Sequence, residues 1–180
     1  MYDAAGGPSG KILKSFPAGA AVRPLTLDPG EGHIIYQLDQ FHGFKVRDVA
    51  TGKVTKSVEL PPLPSNVKLP ESYPYTVDHG LGITPDGTKL LAAASLAGYV
   101  AVYQLPDYKL LGTIQVGEDP NWIKFRSDSK IAFVSNRASN TLSVVDLENM
   151  KEIQQVQVGR MPARFSVIRV PERHVAEAVH

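Results

Sequence analysis

The stretch "NWIKFRSDSKIAFVSNRASNTLSVVDLENMKEIQQVQVG" (121–159) decides how the chain is read. Short runs in which apolar and polar residues alternate are separated by polar turns, the period-2 pattern of half-buried strands. Four strands follow from it. Strand A covers about 121–126, "SDS" (127–129) turns the chain into strand B at 131–136, a "RAS" loop leads to strand C at 140–146, and "LENMKE" carries it to strand D at 153–159.

The same mould recurs upstream. Asp86, Val102, Gly117 and Pro120 reappear 42 positions later as Asp128, Val144, Gly159 and Pro162. Residues 44–60 align without gaps under 100–116 at an offset of 56, which is one period plus 14 residues. The surplus falls in the Pro-rich stretch 61–78, and upstream of it "GKILKSF" (10–16) lies under "GKVTKSV" (52–58) at 42 again. A strand-rich unit of this period is the mark of a β-propeller blade. The expected fold is therefore all-β, a segment of four-stranded antiparallel blades in an open ring. Blade 1 is placed at 22–60, the insertion at 61–78, blade 2 at 79–117 and blade 3 at 121–159. Partial blades are expected at both ends: an outer strand over 9–20 and a first strand over 163–171, followed by a tail at 172–180 that reads as a short helix or a frayed end.

Turn chemistry supports the division. Pro85-Asp86-Gly87 and Asp48, Thr51 and Gly52 supply tight turns, Pro presetting φ and Gly accepting φ > 0. A sheet this small cannot bury both faces alone, so blades must stack, with Ile83, Val102, Phe125 and Val144 expected in the core between them.

Composition narrows the function classes. Over 180 residues, 19 basic and 18 acidic side chains leave a net charge of +1, which speaks against a nucleic-acid partner. No apolar run approaches the ~18 residues of a membrane helix, so the chain reads as soluble with no membrane partner. There is no cysteine for a disulfide or thiolate site. The opening "MYDAAGGPSG" lacks the basic and apolar regions of a signal peptide.

At 132–168, Phe133-Val134-Ser135-Asn136 followed by Asn140 to Asp146, Gly159 and Pro162 resembles the YVTN family of β-propeller repeats. The likeness runs over about 9–170 and weakens outward, "LAAAS" and "IIYQL" standing at the namesake strand of blades 2 and 1. The resemblance implies a bacterial, periplasmic or extracellular protein of the seven-bladed type. Related propellers include lactonases, amine dehydrogenase subunits and the propeller of nitrous oxide reductase.

Propellers bind ligands at the central channel or on the face carrying the D-to-A and B-to-C loops. On that face the repeat aligns Arg23, His79, Asn121 and Ala163, followed by Trp122 and Arg164. The B-to-C loops add His42 and Arg137, and the insertion brings Tyr73 and Tyr75. His79 would serve as metal ligand or acid/base, or as a rim residue bonded to a neighbouring loop. Arg23 and Arg164 would bind an anion with their guanidinium forks, or pair with Asp78 or Asp119. Trp122 would stack on a ligand or pack beside the core. Tyr75 belongs to a recognition loop or to a lid over the adjacent blade. Phosphate loops, nucleophile elbows, HExxH and calcium loops are missing from the sequence, and the aligned positions do not repeat a histidine as a metal ring would require. No cofactor or metal is expected. The sequence therefore reads as a binding or scaffolding segment for a protein or small-molecule partner on the insertion face, with a propeller enzyme or redox-enzyme subunit as the alternative. Self-association or the remainder of a longer propeller would complete the ring.

Overall fold

A computed structural model of the chain describes residues 14–28, 30–67 and 77–170. The described residues form three four-stranded antiparallel sheets. The first contains β1 (Val22–Asp28), β2 (His33–Leu38), β3 (Phe41–Asp48) and β4 (Val54–Glu59). The second contains β5 (Leu81–Ile83), β6 (Lys89–Ala94), β7 (Tyr99–Gln104) and β8 (Lys109–Gln115). The third contains β9 (Pro120–Phe125), β10 (Ile131–Asn136), β11 (Thr141–Asp146) and β12 (Lys151–Gln157). Every sheet runs in chain order from its first strand to its last, as the blades of a propeller do, and the sheets do not close into a ring.

The repeat extends to backbone irregularities. The ladder between third and fourth strands shifts register after Val46, Val102 and Val144, three residues in equivalent places. A bulge at the same point of each blade bends the strand and increases its twist. The predicted turns also form. The Gly87 N–H donates to the Thr84 carbonyl at 2.8 Å, and the Thr51 N–H caps the Asp48 carboxylate at 2.6 Å.

Stacking distributes the core. Blades 1 and 2 bury Ile35, Phe44 and Val46 against Leu90, Ala92 and Tyr103. Blades 2 and 3 bury Leu91, Val100 and Val102 against Ile123, Val134 and Val145. Burial along the third strands shows the consequence: β7, covered on both sides, is buried at every residue but its last, whereas β11 alternates strictly. The fourth strands are mostly exposed, as outer strands must be.

Of the four residues expected between blades, Val102 is fully buried and Ile83 and Phe125 pack at core margins. Val144 departs from the expectation. It is only half-buried, and its neighbour Val145 occupies the core at 0% exposure. Side chains alternate across a strand, so the equivalent of Val102 points away from blade 2, toward a side that no other blade covers among the described residues.

The end strands also differ from expectation. Neither 14–20 nor 163–170 forms a strand. A strand needs a ladder partner for its backbone groups, and neither segment meets one among the described residues. Instead, Arg47 secures the first segment, its guanidinium donating to the Pro17 carbonyl at 2.8 Å and lying 5.5 Å from the Phe16 ring centroid. Residues 9–13 and the tail at 172–180 lie outside the described residues.

The namesake-like Asn136 is a structural crosslink. Its amide nitrogen donates to Thr141 Oγ1 at 3.0 Å and Ser143 Oγ at 2.7 Å, joining β10 to β11 inside the interface with blade 2. Gly117 lies against this amide, where an added Cβ would stand 2.5 Å from Ser139 Oγ and 2.6 Å from Asn136 Nδ2. Asn136 is held by two hydrogen bonds and fully buried, so it has no room to retreat. Gly117→Ala is therefore expected to lower unfolding stability by about 1–3 kcal/mol, read as a reduced urea midpoint with unchanged slope.

Candidate functional site

Three of the aligned residues meet where blade 2 joins blade 3. His79, just before β5, shares a 3.1 Å hydrogen bond between its Nδ1 and the Asn121 carbonyl of β9, linking two residues in equivalent positions of adjacent blades. Since a carbonyl only accepts, Nδ1 carries the proton. The imidazole also lies 6.3 Å from the Trp122 ring, centroid to centroid, with the planes tilted by 36°. Burial holds its pKa below the ordinary histidine value, and the charge of Arg137 acts in the same direction. Both effects favour the neutral imidazole, whose geometry is set by a backbone contact.

Trp122 is half-buried on the side of β9 that faces away from blade 2. The Arg164 guanidinium stands 5.3 Å from its ring centroid and the Lys124 ammonium 5.8 Å from it, so two cations flank one aromatic ring. Close by, the Asn121 amide nitrogen is buried without a hydrogen-bond partner. Arg137 pairs with Asp119 at 2.8 Å. Together with Asn140, Arg160 and Met161 that pair lines an open cleft of about 290 Å³.

The arginines do not converge. Arg23 sits at the start of β1 with its Nε 3.8 Å from Asp39, and Arg164 is spent on Trp122. The carboxylates expected beside them are engaged elsewhere, Asp119 by Arg137 and Asp78 by His42. The reason is positional: His42 is the second residue of β3, not a loop residue, and strand geometry carries it to the end of the insertion. Tyr75 and Tyr73 lie outside the described residues.

The His42 cluster is what sequence reasoning missed. Its Nδ1 lies 3.0 and 3.1 Å from the two Asp78 oxygens, and its Nε2 lies 2.8 Å from the Pro61 carbonyl. Both nitrogens face acceptors, an arrangement that favours the doubly protonated imidazolium. The Tyr99 hydroxyl donates to the same Pro61 carbonyl. His42 therefore clasps the insertion near both ends, at Pro61 and at the fully buried Asp78. An Asp–His pair suits a general base, but the outward nitrogen here is already used. The available signal was Asp78 itself, a charged residue set between Val77 and "HGLGI" (79–83), a position that demands a partner.

Burial pulls the His42 pKa down, but the hydrogen bond and charge of Asp78, with the Pro61 carbonyl, outweigh it and hold the net value above the ordinary 6.5. Burial likewise pushes Asp78 up, with His42 opposing. For a histidine raised in the folded state, the stabilisation is complete below the unfolded pKa of about 6.5 and is lost as pH rises through the folded value. Stability measured from pH 6 to 9 should fall through that window in the wild type, and His42→Gln should flatten this limb. A limb unchanged by the substitution would show that the imidazolium is not the source.

Structural comparison places the chain among β-propellers. Hydrazine synthase from Kuenenia stuttgartiensis superimposes with a TM-score of 0.64 at 21% identity, over 82% of this chain and 41% of that one. A putative 6-phosphogluconolactonase from Bacteroides fragilis gives 0.63 at 16% identity, over 80% and 41%. The chain thus spans about two-fifths of the length of each. No protein-family model matches the sequence, and no curated protein does.

Proposed function

We propose that this propeller segment is a non-catalytic binding and scaffolding unit, similar to YVTN-type repeat proteins, which holds a protein or small-molecule partner on the face carrying its insertion. The observation behind this reading is how the polar groups of that face are used. His79 is bonded to the Asn121 backbone, His42 to Asp78 and Pro61, and Arg137 to Asp119. His42 and Arg137 are thereby committed to holding loops in place and shape a surface, whereas His79, fastened through Nδ1, keeps Nε2 beyond that bond. The half-buried Trp122, framed by Arg164 and Lys124, provides an aromatic and cationic surface of the kind that anchors partners. Periplasmic or extracellular placement belongs to the same proposal and rests on the repeat resemblance.

The second reading is a propeller enzyme or redox-enzyme subunit, lactonase-like or amine-dehydrogenase-like, with His79, Arg23 and Arg164 as the portion of the site present here. The likeness to a putative 6-phosphogluconolactonase favours it. Lactone hydrolysis by the wild type and by His79→Ala separates the two. The binding reading expects no turnover that depends on His79, together with a lower melting temperature in the variant because a contact between blades is lost. Turnover abolished by His79→Ala at unchanged melting temperature would establish the enzyme instead.

A further inference from the structure

The two outer blade faces are built like interior ones. Toward blade 3, blade 2 presents Leu91, Val100, Val102 and Ile114, each at most 2% exposed. The residues 42 positions later are Phe133, Leu142, Val144 and Val156, on the side of blade 3 that faces away from blade 2. They are equally apolar, yet the first three are only half-buried and Val156 is 38% exposed.

The other end mirrors this arrangement. Toward blade 1, blade 2 presents Leu81 and Leu90 at 8% and 0%, with Ile83 beside them. Their equivalents 56 positions earlier are Leu25, Ile34 and Leu27. The ladders agree in register: Leu25 and Leu27 pair with Tyr36 and Ile34 as Leu81 and Ile83 pair with Ala92 and Leu90. Leu25 and Leu27 nonetheless stand 55% and 59% exposed. Contiguous apolar surface of this kind marks an interaction site in a folded protein.

We propose that these faces take each other across two copies of the chain. The open face of blade 3 in one copy seats on the open face of blade 1 in the second, and the reciprocal contact closes a two-fold ring. The contact continues an interface that the chain already makes twice, since blade 1 meets blade 2, and blade 2 meets blade 3, in this same sense. Among the described residues no further blade covers either face; Val167 and Ile168 lie beside Phe133 at the edge of one, and Phe16 lies beside Leu25 and Ile34 at the edge of the other. A head-to-tail contact closes when the rotation allows it and otherwise runs on into a filament. Two chains supply six four-stranded blades, within the range of about four to eight that propellers use. Closure would also set Arg23 of the second copy beside Trp122 and Arg164, because Arg23 holds in blade 1 the place that His79 and Asn121 hold where blades 2 and 3 touch. The ring is independent of the binding reading above, which concerns a different partner.

Size-exclusion chromatography with light scattering tests this on the 180-residue chain. The expected species has twice the 19.5 kDa chain mass. Leu27→Asp on blade 1 and Val144→Asp on blade 3 should each give the single-chain mass with an unchanged far-ultraviolet circular dichroism spectrum. An equimolar mixture of the two variants should regain the two-chain mass, because one contact between unlike, unaltered faces survives in the mixed pair. If either aspartate prevents folding, Leu25→Ser and Leu142→Ser serve as the pair. A monomeric or open-endedly aggregating wild type would overturn the proposal, as expected if further blades, of a longer chain or of another polypeptide, cover these faces. A dimer broken by only one of the two substitutions would overturn it as well, since that is the signature of like faces pairing.

Discussion

Everything in this molecule depends on one constraint: a four-stranded blade has two faces and too little chain to bury either by itself. Hydrophobic burial stabilises by roughly 25 cal/mol per Å² of apolar surface removed from water, and only a neighbouring blade can remove it. Blade 2 shows the satisfied state, with Leu90, Leu91, Val100 and Val102 all at 0% exposure. Blades 1 and 3 show what half of that state looks like. The contrast between β7 and β11 reflects sequence and coverage together: β7, "YVAVYQ", is apolar on both faces and covered on both, whereas β11, "TLSVVD", has a neighbouring blade on one face among the described residues.

The same constraint explains where polar groups are tolerated inside. Gln37 is fully buried in β2, yet its amide accepts from the Gly80 N–H at 2.9 Å and donates to the Ala93 carbonyl at 3.4 Å, tying blade 1 to blade 2. Asn136 joins β10 to β11 through its amide nitrogen alone, its Oδ1 being buried without a hydrogen-bond partner. Polar residues that satisfy their own hydrogen bonds across or along an interface cost little and help set register. Blade 2 has Ala94 where blade 3 has Asn136, and an apolar contact takes over the same position. Variation between repeats is therefore an exchange between two ways of filling one place.

The insertion is the point at which the chain leaves its own pattern, and it is held by chemistry that the pattern does not contain. His42 has no histidine counterpart in the other blades; 98 and 140 are Gly and Asn. The ring bridges Pro61 and Asp78 because the insertion must be fastened near both ends to remain against the blades. The buried Asp78 carboxylate would be costly without this partner. A site that looks like a catalytic pair is thus explained by the loop it secures.

Periodicity and turn residues were enough to determine an all-β fold of three four-stranded antiparallel sheets, since alternation and Gly/Pro punctuation are local properties of the chain. They also brought His79, Asn121 and Trp122 to one rim, because equivalent places in adjacent blades are neighbours in space. Tertiary structure alone decided which groups pair. The His42 contact with Asp78 spans 36 residues, and the positions of Arg23 and Arg164 depend on strand register and on neighbouring blades. It alone also decided that Val144 lies open where Val102 is buried. The two residues hold equivalent places in the repeat, and what separates them is whether a further sheet covers them, a property of the assembled fold.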